Sequence, residues 1–340
     1  MKIRTVLQFS LGALFMATLL MCCANISNAE DPTSFDGAWA FQLPDGRPAW
    51  LQVLEVEGNL TANLLWSVGS AKPCNDVAIH DGCLTLQRRI RWKPYGRSDE
   101  SRSIVEPMVG RIVDEKLEMR VVQTNDGTGA DETFLMSGVR IPPMPPQPDL
   151  DEVRFGKPIV LFNGRDLAGW SLSDPEKVNG WRAEDGVLVN STPKADFAAY
   201  GDYGNLRTDQ EFEDFHLSIE YNVPSGGNSG IYLRGMYEAQ VVDRDSRMQG
   251  IQGPGAIFGR IEPSENAGTP GGEWNCYDLT LVERHITVIL NGRTVIDNEP
   301  LLGCTGGGMH SNDTQPGPIF LQGDHTSIQY RNIVLRPVLE

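Results

Sequence analysis

The sequence predicts an all-β protein, in which a small N-terminal β-domain precedes a larger β-sandwich of the jelly-roll type. Apolar and polar residues alternate over many short segments, and Gly, Pro, Asn and Asp separate these segments at short intervals. The C-terminal half has no long stretch with the 3.6-residue period of an amphipathic helix. Many short strands joined by regular turns are typical of sandwiches and barrels.

The boundary between the two domains is predicted at a proline-rich segment. Residues 141–148 have the sequence IPPMPPQP, and their prolines lock φ and remove backbone donors. This composition is typical of an extended polyproline linker, which we assign to residues 141–154. A chain of 340 residues also exceeds the usual size of one domain. We therefore predict a first domain over residues 31–140 and a second over residues 155–338.

The first domain is predicted to be a small antiparallel meander. Trp50–Val56 and Leu60–Trp66 alternate with period two, and Glu57-Gly-Asn59 between them predicts a tight hairpin turn. Gly37-Ala-Trp39 is similar to the Gly-x-Trp of lipocalin-like barrels, so a closed barrel is one option for this domain. No motif within the domain indicates a chemical function.

The first residues have the pattern of a signal peptide over residues 1–29. Lys2 and Arg4 precede an apolar stretch from Leu11 to Cys23, and Ser27-Asn28-Ala29 provides small residues for cleavage before Glu30. The apolar stretch is short for a membrane span, and no second one follows. We therefore expect export to the periplasm or the exterior. A lipoprotein anchored at Cys22 or Cys23 is the less favoured alternative, because bulky residues precede both cysteines.

The charge of the chain excludes one class of partner. The formal net charge is −16, and removal of the two cations of the signal peptide leaves about −18. Nucleic-acid binding requires a basic surface, so a nucleic-acid partner is not expected. An electrostatic contact with a membrane is disfavoured for the same reason.

Four cysteines remain after the signal peptide. In an exported protein two intradomain disulfides are plausible, Cys74–Cys83 in the first domain and Cys276–Cys304 in the second; free thiols are the alternative. Neither pair has the Cys-x-x-Cys spacing of a zinc site, so we do not expect a structural zinc ion on these cysteines.

The second domain contains a set of segments whose order is characteristic of one family. The segments are Pro158–Trp170, Trp181–Leu188, Phe212–Tyr221, Gly227–Gly235, Tyr237–Asp243, Gly272–Asn275, Leu290–Gly292, Ile319–Gln322, His325 and Tyr330–Ile333. Together they resemble the 3-keto-disaccharide hydrolase domain, a family also described as 3-keto-glucoside 1,2-lyases and 3-keto-2-hydroxy-glucal hydratases. The resemblance covers residues 155–338 and implies a concanavalin A-like jelly roll.

Two departures from the family pattern lie near its end. Leu302–His310 is a glycine-rich, insertion-like segment. The family's usual Gln-Asp-His-Gly is here Gln322-Gly-Asp-His325, which moves the histidine by one position. In a regular strand such a shift turns the side chain to the other face; we expect this segment to leave its strand there.

The resemblance implies a specific reaction, in which a ketone at C3 of a glucosyl unit acidifies the hydrogen on C2. A base removes this proton, the C1 substituent departs by β-elimination, and water adds to the unsaturated product. The site needs a base, an acid for the leaving oxygen and donors for the enolate oxygen. The chain has no dinucleotide-binding fingerprint, so a separate glycoside 3-dehydrogenase must supply the 3-keto sugar.

The candidate catalytic residues are Glu238, His325 and Arg234. Tyr232 and Arg234 alternate with apolar residues, and the turn at Gly235-Met236 is predicted to bring Arg234 close to Glu238. This approach indicates either a catalytic pair or a plain cross-strand ion pair. Either Glu238 or His325 is the base, and the other is the acid. The candidate substrate-binding residues are Glu220, Asn228, Tyr232, Gln240, Asp243, Trp274, Asn275 and Gln322.

Other functions are weighed against this reaction. The Glu-x-Asp-x-x-Glu motif of retaining glucanases with this fold is absent, which disfavours hydrolysis by two carboxylates. A divalent ion on Asp243, Asp245 and Glu238 is an option without a regular calcium-loop spacing. A non-catalytic, lectin-like glycan-binding module and a structural or adhesive surface domain are the competing functions. An ionisable Glu/His pair favours the enzyme, because lectins bind neutral sugars mainly with amides and aromatic rings.

Overall fold

A computed structural model describes residues 35–92, 102–124, 131–193 and 202–339. The predicted signal peptide and the alternative anchor at Cys22 or Cys23 lie outside these ranges. Within them, no helix is both long and apolar enough to cross a membrane. The chain divides into two compact units. Of the described residues, the first contains 35–46, 51–64 and those within 72–140, and the second contains 47–50, 65–71 and those from 141 onward.

The N-terminal sheet contains nine strands in the order β4-β3-β2-β1-β9-β8-β7-β6-β5. They are β1 (Gly37–Gln42), β2 (Pro48–Val56), β3 (Asn59–Trp66), β4 (Lys72–Pro73), β5 (Asn75–His80), β6 (Cys83–Trp92), β7 (Arg102–Val113), β8 (Lys116–Thr124) and β9 (Asp131–Ile141). Cys74 alone separates β4 at one edge of the sheet from β5 at the other. Because one residue must bridge the two edges, the sheet curls round on itself, as the barrel option predicts.

The interior of this sheet is filled by the alternating apolar residues of its strands. Trp39, Leu51, Leu84 and Leu117 have no exposed side-chain surface. Gly138 on β9 faces the same interior, and a Cβ atom there would lie 2.5 Å from the ring of Phe41. Gly138 therefore makes room for an aromatic side chain. This explains why a glycine, which usually weakens a strand, occurs within β9.

Replacement of Gly138 by Ala should overpack this interior. We expect a loss of about 1–3 kcal/mol from the first unit, because the added methyl group meets the ring of Phe41. Hydrogen exchange of the β8 and β9 amides, followed by mass spectrometry, measures this loss. Ser137→Ala is the matched control, since Ser137 is exposed; equal protection in the two variants would refute the packing argument.

The second unit is a sandwich of two sheets. Its strands are β10 (Ile159–Val160), β11 (Trp170–Leu172), β12 (Trp181–Glu184), β13 (Val187–Asn190), β14 (Leu206–Thr208), β15 (Phe215–Asn222), β16 (Asn228–Leu233), β17 (Tyr237–Val242), β18 (Trp274–Val282), β19 (His285–Leu290), β20 (Arg293–Pro300), β21 (Phe320–Leu321) and β22 (Ile328–Pro337). The eight-stranded sheet has the order β12-β13-β22-β15-β18-β19-β20, with β10 paired to β22. The five-stranded sheet has the order β11-β14-β21-β16-β17.

The two sheets pack face to face through the residues that alternation predicts. Phe215, Leu217, Ile219 and Tyr221 on β15 are buried, and the residues between them are only partly buried. The hydroxyl groups of Ser229 on β16 and Tyr330 on β22 lie 2.9 Å apart across the interior. Alternation and cross-sheet contacts confirm the predicted all-β sandwich.

A hairpin turn and the proline-rich segment complete this unit. Asn291 and Gly292 have φ values of 52° and 76° and form the hairpin turn between β19 and β20, which an Asn-Gly pair favours. The predicted linker is held to the rest of the second unit by hydrogen bonds. Arg284 donates to the carbonyl oxygens of Pro142, at 3.1 Å, and Pro143, and the Asn298 amide donates to that of Pro148 at 2.8 Å.

The two predicted disulfides are wrong. Cys74, Cys276 and Cys304 are free thiols, and Cys83 is disulfide-bonded, so its partner is none of these three. β5 runs antiparallel to β6, which brings Cys74 near Arg88; five residues along β6 separate that position from Cys83, or roughly 16 Å. Cys276 faces away from the sandwich core with Glu220, whereas Cys304 is fully buried in a loop.

Candidate functional site

The candidate site lies on the outer face of the five-stranded sheet, which points away from the sandwich core. On β16, Ser229 reaches Tyr330 across the core, so Ile231 and Leu233 also point inward. The alternate residues Gly230 and Tyr232 therefore point outward. Directly opposite residues of antiparallel strands share a face. Glu238 and Gln240 on β17 are opposite Tyr232 and Gly230, and lie on the same outer face.

The side chain of Glu238 extends over the backbone of Gly230. A Cβ atom at Gly230 would be 2.4 Å from the Glu238 carboxyl oxygen Oε1, so this glycine provides the space in which the carboxyl group sits. The Glu238 side chain is only 4% exposed. Burial raises the pKa of Glu238 to about 8; the Tyr232 hydroxyl opposes this rise, and the negative charge of Asp324 adds to it. Glu238 is therefore largely protonated at neutral pH.

Amide groups surround this carboxyl group. Gln322 continues β21, its backbone N–H donates to the carbonyl oxygen of Gly230 at 3.0 Å, and its Nε2 lies 3.5 Å from the Tyr232 oxygen. The side-chain oxygens of Gln240, Gln322 and Asn228 are buried without a hydrogen-bond partner among the described residues. Such a group costs about 1–3 kcal/mol, so three of them together indicate a site for a polar ligand.

Asp324 and His325 stand at the edge of the same site. The His325 Nδ1 is 2.6 Å from the Asp324 carboxylate, and their side chains are 23% and 19% exposed. The side-chain oxygen of Asn205 accepts the backbone N–H groups of Gly323, at 2.7 Å, and Asp324, at 3.2 Å. β21 ends at Leu321, so the histidine has left the strand as expected, and the one-position shift does not obey strand alternation.

Sequence reasoning missed Arg207, a cation on this face. Arg207 on β14 is opposite Phe320, which is itself opposite Tyr232. The Phe320 and Tyr232 rings touch, with centroids 4.9 Å apart, which confirms that the row shares one face. The half-buried Arg207 thus lies two strands from Tyr232, or about 10 Å. Its strand has only three residues, too short for an alternation pattern to show which way the side chain points.

The glycine-rich segment 302–310 forms one wall of the site. The Thr305 hydroxyl accepts the backbone N–H of Glu238 at 3.0 Å and donates to the Met236 carbonyl at 2.9 Å. The Gly306 carbonyl oxygen accepts the Tyr232 hydroxyl at 3.0 Å. Gly307 has a φ of +80°, and a Cβ atom there would be 2.8 Å from the Tyr232 oxygen. The sequence marked this segment as a departure from the family pattern, without indicating that it contacts the site.

Two predicted site residues lie elsewhere. Glu220 and Trp274 point away from the core, but they belong to the eight-stranded sheet, on the opposite side of the sandwich from Glu238. Glu220 binds Arg331 at 2.7 Å, and the Arg331 guanidinium lies 3.9 Å over the Trp274 ring. Their placement at the Glu238 site is wrong, because alternation defines which residues face outward and does not define which sheet a strand joins.

Arg234 does not share the position predicted for it. It follows β16 with a φ of 53°, and its buried guanidinium donates to the carbonyl oxygens of Asp313, at 2.6 Å, and Gln315, with Nε at 3.0 Å. The Arg234 carbonyl oxygen lies 3.0 Å from a ring nitrogen of His310. The left-handed backbone of Arg234 turns its side chain out of the row that contains Tyr232. The guanidinium instead anchors Asp313 and Gln315, which follow the glycine-rich segment.

Asp243 and Asn275 hold turns. The Asp243 carboxylate accepts the backbone N–H groups of Gly226, at 2.7 Å, and Gly271, at 3.0 Å, and such bonds lower its pKa. The Asn275 side-chain oxygen accepts the Thr269 N–H at 2.8 Å. The site thus unites Glu238, Tyr232, Gln240, Gln322, Asn228 and His325 from the prediction. Among the described residues no group of three or more His, Cys, Asp or Glu side chains has the arrangement of a metal site.

The site thus has a buried acid with amide side chains on the same face of a β-sandwich, and comparison with known proteins identifies the family of the chain. Residues 157–336 match the family described as the 3-keto-alpha-glucoside-1,2-lyase-like domain. The match covers more than half of the chain, which therefore belongs to this family. The predicted family is confirmed.

The chain is also similar to individual proteins. A 3-keto-disaccharide hydrolase from Bacteroides thetaiotaomicron is 28% identical over 144 residues, which are 34% of this chain and 50% of that protein. The chain thus matches about half of the length of that relative. Two solved structures from Parabacteroides distasonis ATCC 8503, described as candidate glycosyl hydrolases, are 31% and 20% identical with TM-scores of 0.42 and 0.43. They cover 57% and 54% of this chain, and 93% and 94% of their own chains.

Replacement of Glu238 by Gln should change how stability depends on pH. Between its ordinary value of 4.5 and about 8 the native state retains a proton that the unfolded chain has lost. Stability therefore falls as the pH rises through this window. The Gln variant lacks this loss, so its stability relative to the wild type should increase from pH 4.5 to 8. Each kcal/mol of this difference corresponds to about 2–4 °C in Tm.

Thermal unfolding at several pH values measures this effect. Glu220→Gln is the matched control, because Glu220 sits on the other sheet in an ion pair with Arg331, and the same pH-dependent gain is not expected. A difference between Glu238→Gln and the wild type that stays constant with pH would contradict the raised pKa.

Proposed function

We propose that this protein cleaves 3-keto-glycosides at the glycosidic bond by β-elimination, with hydration of the unsaturated product as a second step. One observation carries the proposal: a protonated Glu238 and an Asp324–His325 pair belong to the same site. The site also contains buried amide oxygens that have no hydrogen-bond partner among the described residues. An acid and a base with different environments are what elimination requires. The named activity of the Bacteroides relative is in keeping with this substrate class.

His325 is the base in this scheme. With Nδ1 bonded to the Asp324 carboxylate at 2.6 Å, the neutral ring carries its proton on Nδ1, and Nε2 can accept a proton. It removes the C2 hydrogen of the 3-keto sugar, and the electron pair moves into the C2–C3 bond as the C3 oxygen becomes an enolate. The Asp324 carboxylate stabilises the imidazolium ion that forms.

Glu238 is the acid. As the electron pair of the enolate re-forms the C3 carbonyl and moves into C1–C2, the C1–oxygen bond breaks, and Glu238 gives its proton to the leaving oxygen. The products are a 3-keto-2-hydroxy-glucal and the free aglycone alcohol. Water then adds to the C1–C2 double bond: the Glu238 carboxylate takes a proton from the water as its oxygen bonds to C1, and the His325 imidazolium gives its proton to C2, which yields the 3-keto sugar and restores both groups. A group with a pKa of about 8 is suited to this role.

Donors on the same face stabilise the enolate. The Gln240 amide nitrogen donates to the Gln252 carbonyl at 3.2 Å, which orients the amide. The amide groups of Gln240 and Gln322 hold the sugar hydroxyls and the C3 oxygen, and Arg207 supplies positive charge on the row that contains Tyr232. Arg234 contributes indirectly, through the segment that it anchors at Asp313 and Gln315.

The reaction also requires earlier steps. Oxidation of the C3 hydroxyl must occur in a separate glycoside 3-dehydrogenase, because the chain has no dinucleotide-binding fingerprint. With its signal peptide over residues 1–29, the protein acts in the periplasm or outside the cell.

Replacement of Glu238 by Gln should abolish turnover. Removal of a general acid typically costs 10²–10⁴-fold in rate. The substrate is a 3-keto-disaccharide, and release of the monosaccharide is followed by chromatography. Glu220→Gln, which changes the same residue type on the opposite sheet, should keep wild-type activity. If the wild type binds the disaccharide without cleaving it, the lectin-like alternative holds and the proposal fails.

Replacement of His325 by Gln should separate the two proton transfers. In D₂O the wild type exchanges the C2 hydrogen of the 3-keto sugar with solvent, and the His325 variant should lose this exchange by about 10²–10⁴-fold. The Glu238→Gln variant should retain the exchange while it loses cleavage, because its base is intact. Proton NMR of the C2 signal measures both. If Glu238→Gln lost the exchange and His325→Gln retained it, Glu238 would be the base and His325 the acid, and the assignment proposed here would be wrong.

A further inference from the structure

The second unit includes two short segments that precede the linker in the sequence, residues 47–50 and 65–71. Both segments contact the glycine-rich wall. The Ser67 carbonyl oxygen accepts the backbone N–H of Gly307 at 2.8 Å. A Cβ atom at Gly306 would overlap the backbone of Gly69. The wall therefore lies against these segments at a distance that leaves no room for a side chain.

The opposite side of the wall contacts the two strands that contain the candidate acid. Thr305 donates its backbone N–H and its hydroxyl group to the Met236 carbonyl oxygen, both at 2.9 Å. The same hydroxyl group accepts the N–H of Glu238 at 3.0 Å, and the Gly306 carbonyl oxygen accepts the Tyr232 hydroxyl at 3.0 Å. Because Tyr232 and Glu238 are directly opposite each other in the sheet, the wall contacts both members of this pair.

The glycine content of the wall follows from contacts on both of its sides. Three of its glycines each face a different neighbour, at which a Cβ atom would lie within 2.8 Å of another heavy atom. These neighbours are the Trp50 ring for Gly303, the Gly69 backbone for Gly306 and the Tyr232 hydroxyl for Gly307. Two of them belong to the segments before the linker and one belongs to the site. The wall is thus a thin layer between these segments and the site.

Trp50 supports the wall through Arg260. The Trp50 side chain is only 1% exposed, and the Arg260 guanidinium carbon lies 4.3 Å from the centre of its ring. The Arg260 Nε donates to the Cys304 carbonyl oxygen at 2.8 Å. The aromatic face and the carbonyl oxygen both attract the cation and fix its position. Trp50 therefore orients the side chain that binds the residue directly before Thr305.

We propose that segments 47–50 and 65–71 hold the glycine-rich wall against Tyr232 and Glu238, with Trp50 as a positioning residue of the reaction. The inference rests on the proposed function, in which Glu238 is the acid. The family match begins at residue 157 and does not include these segments. The part of the chain before the linker thus acts on the reaction through the wall.

The base does not depend on this support. The segment that contains His325 is held elsewhere, where the side-chain oxygen of Asn205 accepts the backbone N–H of Asp324 at 3.2 Å. The His325 ring is bonded to the Asp324 carboxylate at 2.6 Å. Displacement of the wall should therefore impair the acid and leave the base intact.

Replacement of Trp50 by Ala tests the proposal without a substrate. Loss of the indole should let the wall move away and let water reach the Glu238 carboxyl group, so the pKa of Glu238 should fall from about 8 by about one unit or more. The signal is the side-chain ¹³C resonance of Glu238 in glutamate-labelled protein, assigned by its absence in Glu238→Gln. Trp39→Ala is the matched control, because it removes a buried indole from the first unit. An unchanged pKa in Trp50→Ala, or an equal fall in Trp39→Ala, would overturn the proposal.

Kinetic measurements separate positioning from general damage. Trp50→Ala should lower kcat for cleavage of a 3-keto-disaccharide by about 10–10²-fold, because a small displacement of a reacting group has effects of this size. It should retain the exchange of the C2 hydrogen in D₂O, since His325 keeps its place. Trp50→Phe preserves an aromatic face for Arg260 and should recover most of the lost rate. Equal losses of cleavage and exchange in Trp50→Ala would refute the specific role.

Replacement of Arg260 by Met breaks the same support at its other end, and it decides the question if Trp50→Ala does not fold. The variant loses the hydrogen bond to Cys304, so the pKa of Glu238 should fall as in Trp50→Ala. Loss of a nearby cation alone would instead raise the pKa of a carboxyl group. Arg293→Met is the matched control, because Arg293 is exposed and paired with Glu265, and it should leave the Glu238 pKa unchanged. An unchanged or raised value in Arg260→Met would contradict the proposal.

The two kinds of measurement keep the two proposals apart. If the wild-type protein does not cleave 3-keto-glycosides, the proposed function fails. The titrations need no substrate, so they still decide whether Trp50 and Arg260 hold the wall against Glu238.

Discussion

The carboxyl group of Glu238, enclosed between two sheet strands and a loop, is the constraint on which the rest of the site depends. A carboxylic acid at 4% exposure is costly to ionise, and the protein lets it stay protonated at neutral pH instead of pairing it with a cation. Gly230 gives the carboxyl group room, the charge of Asp324 opposes its ionisation, and the effect of the Tyr232 hydroxyl, which lowers the pKa, is smaller than that of burial.

The surroundings of this acid are more strained than the scaffold requires. Gly307 occupies left-handed backbone against the phenol, and Arg234 does so without being glycine. The amide oxygens of Gln240 and Gln322 are buried without partners among the described residues. On the eight-stranded sheet, by contrast, the outward-facing Glu220 is paired with Arg331.

Part of the site could be predicted from the sequence because it is local. Tyr232, Glu238 and Gln240 belong to consecutive strands, and period-two alternation across a short turn is enough to place them together. Gln322 and His325 entered through a family resemblance rather than through spacing. Arg207 could not be found in either way, because a three-residue strand shows no period. The wall around Gly306 was visible as an unusual composition, but its contact with Tyr232 spans more than seventy residues of chain.

The sequence by itself determined the all-β class, the outward or inward direction of most side chains and the hairpin that unites Tyr232 with Glu238. These properties follow from local alternation and turn chemistry. Only the tertiary structure decided that Glu220 and Trp274 lie on one side of the sandwich and Glu238 on the other. It alone also brought a carbonyl of the glycine-rich segment to the Tyr232 hydroxyl. The reason is physical: alternation states that a residue faces away from the core, whereas the sheet that a strand joins is decided by hydrogen bonds between segments far apart in the chain.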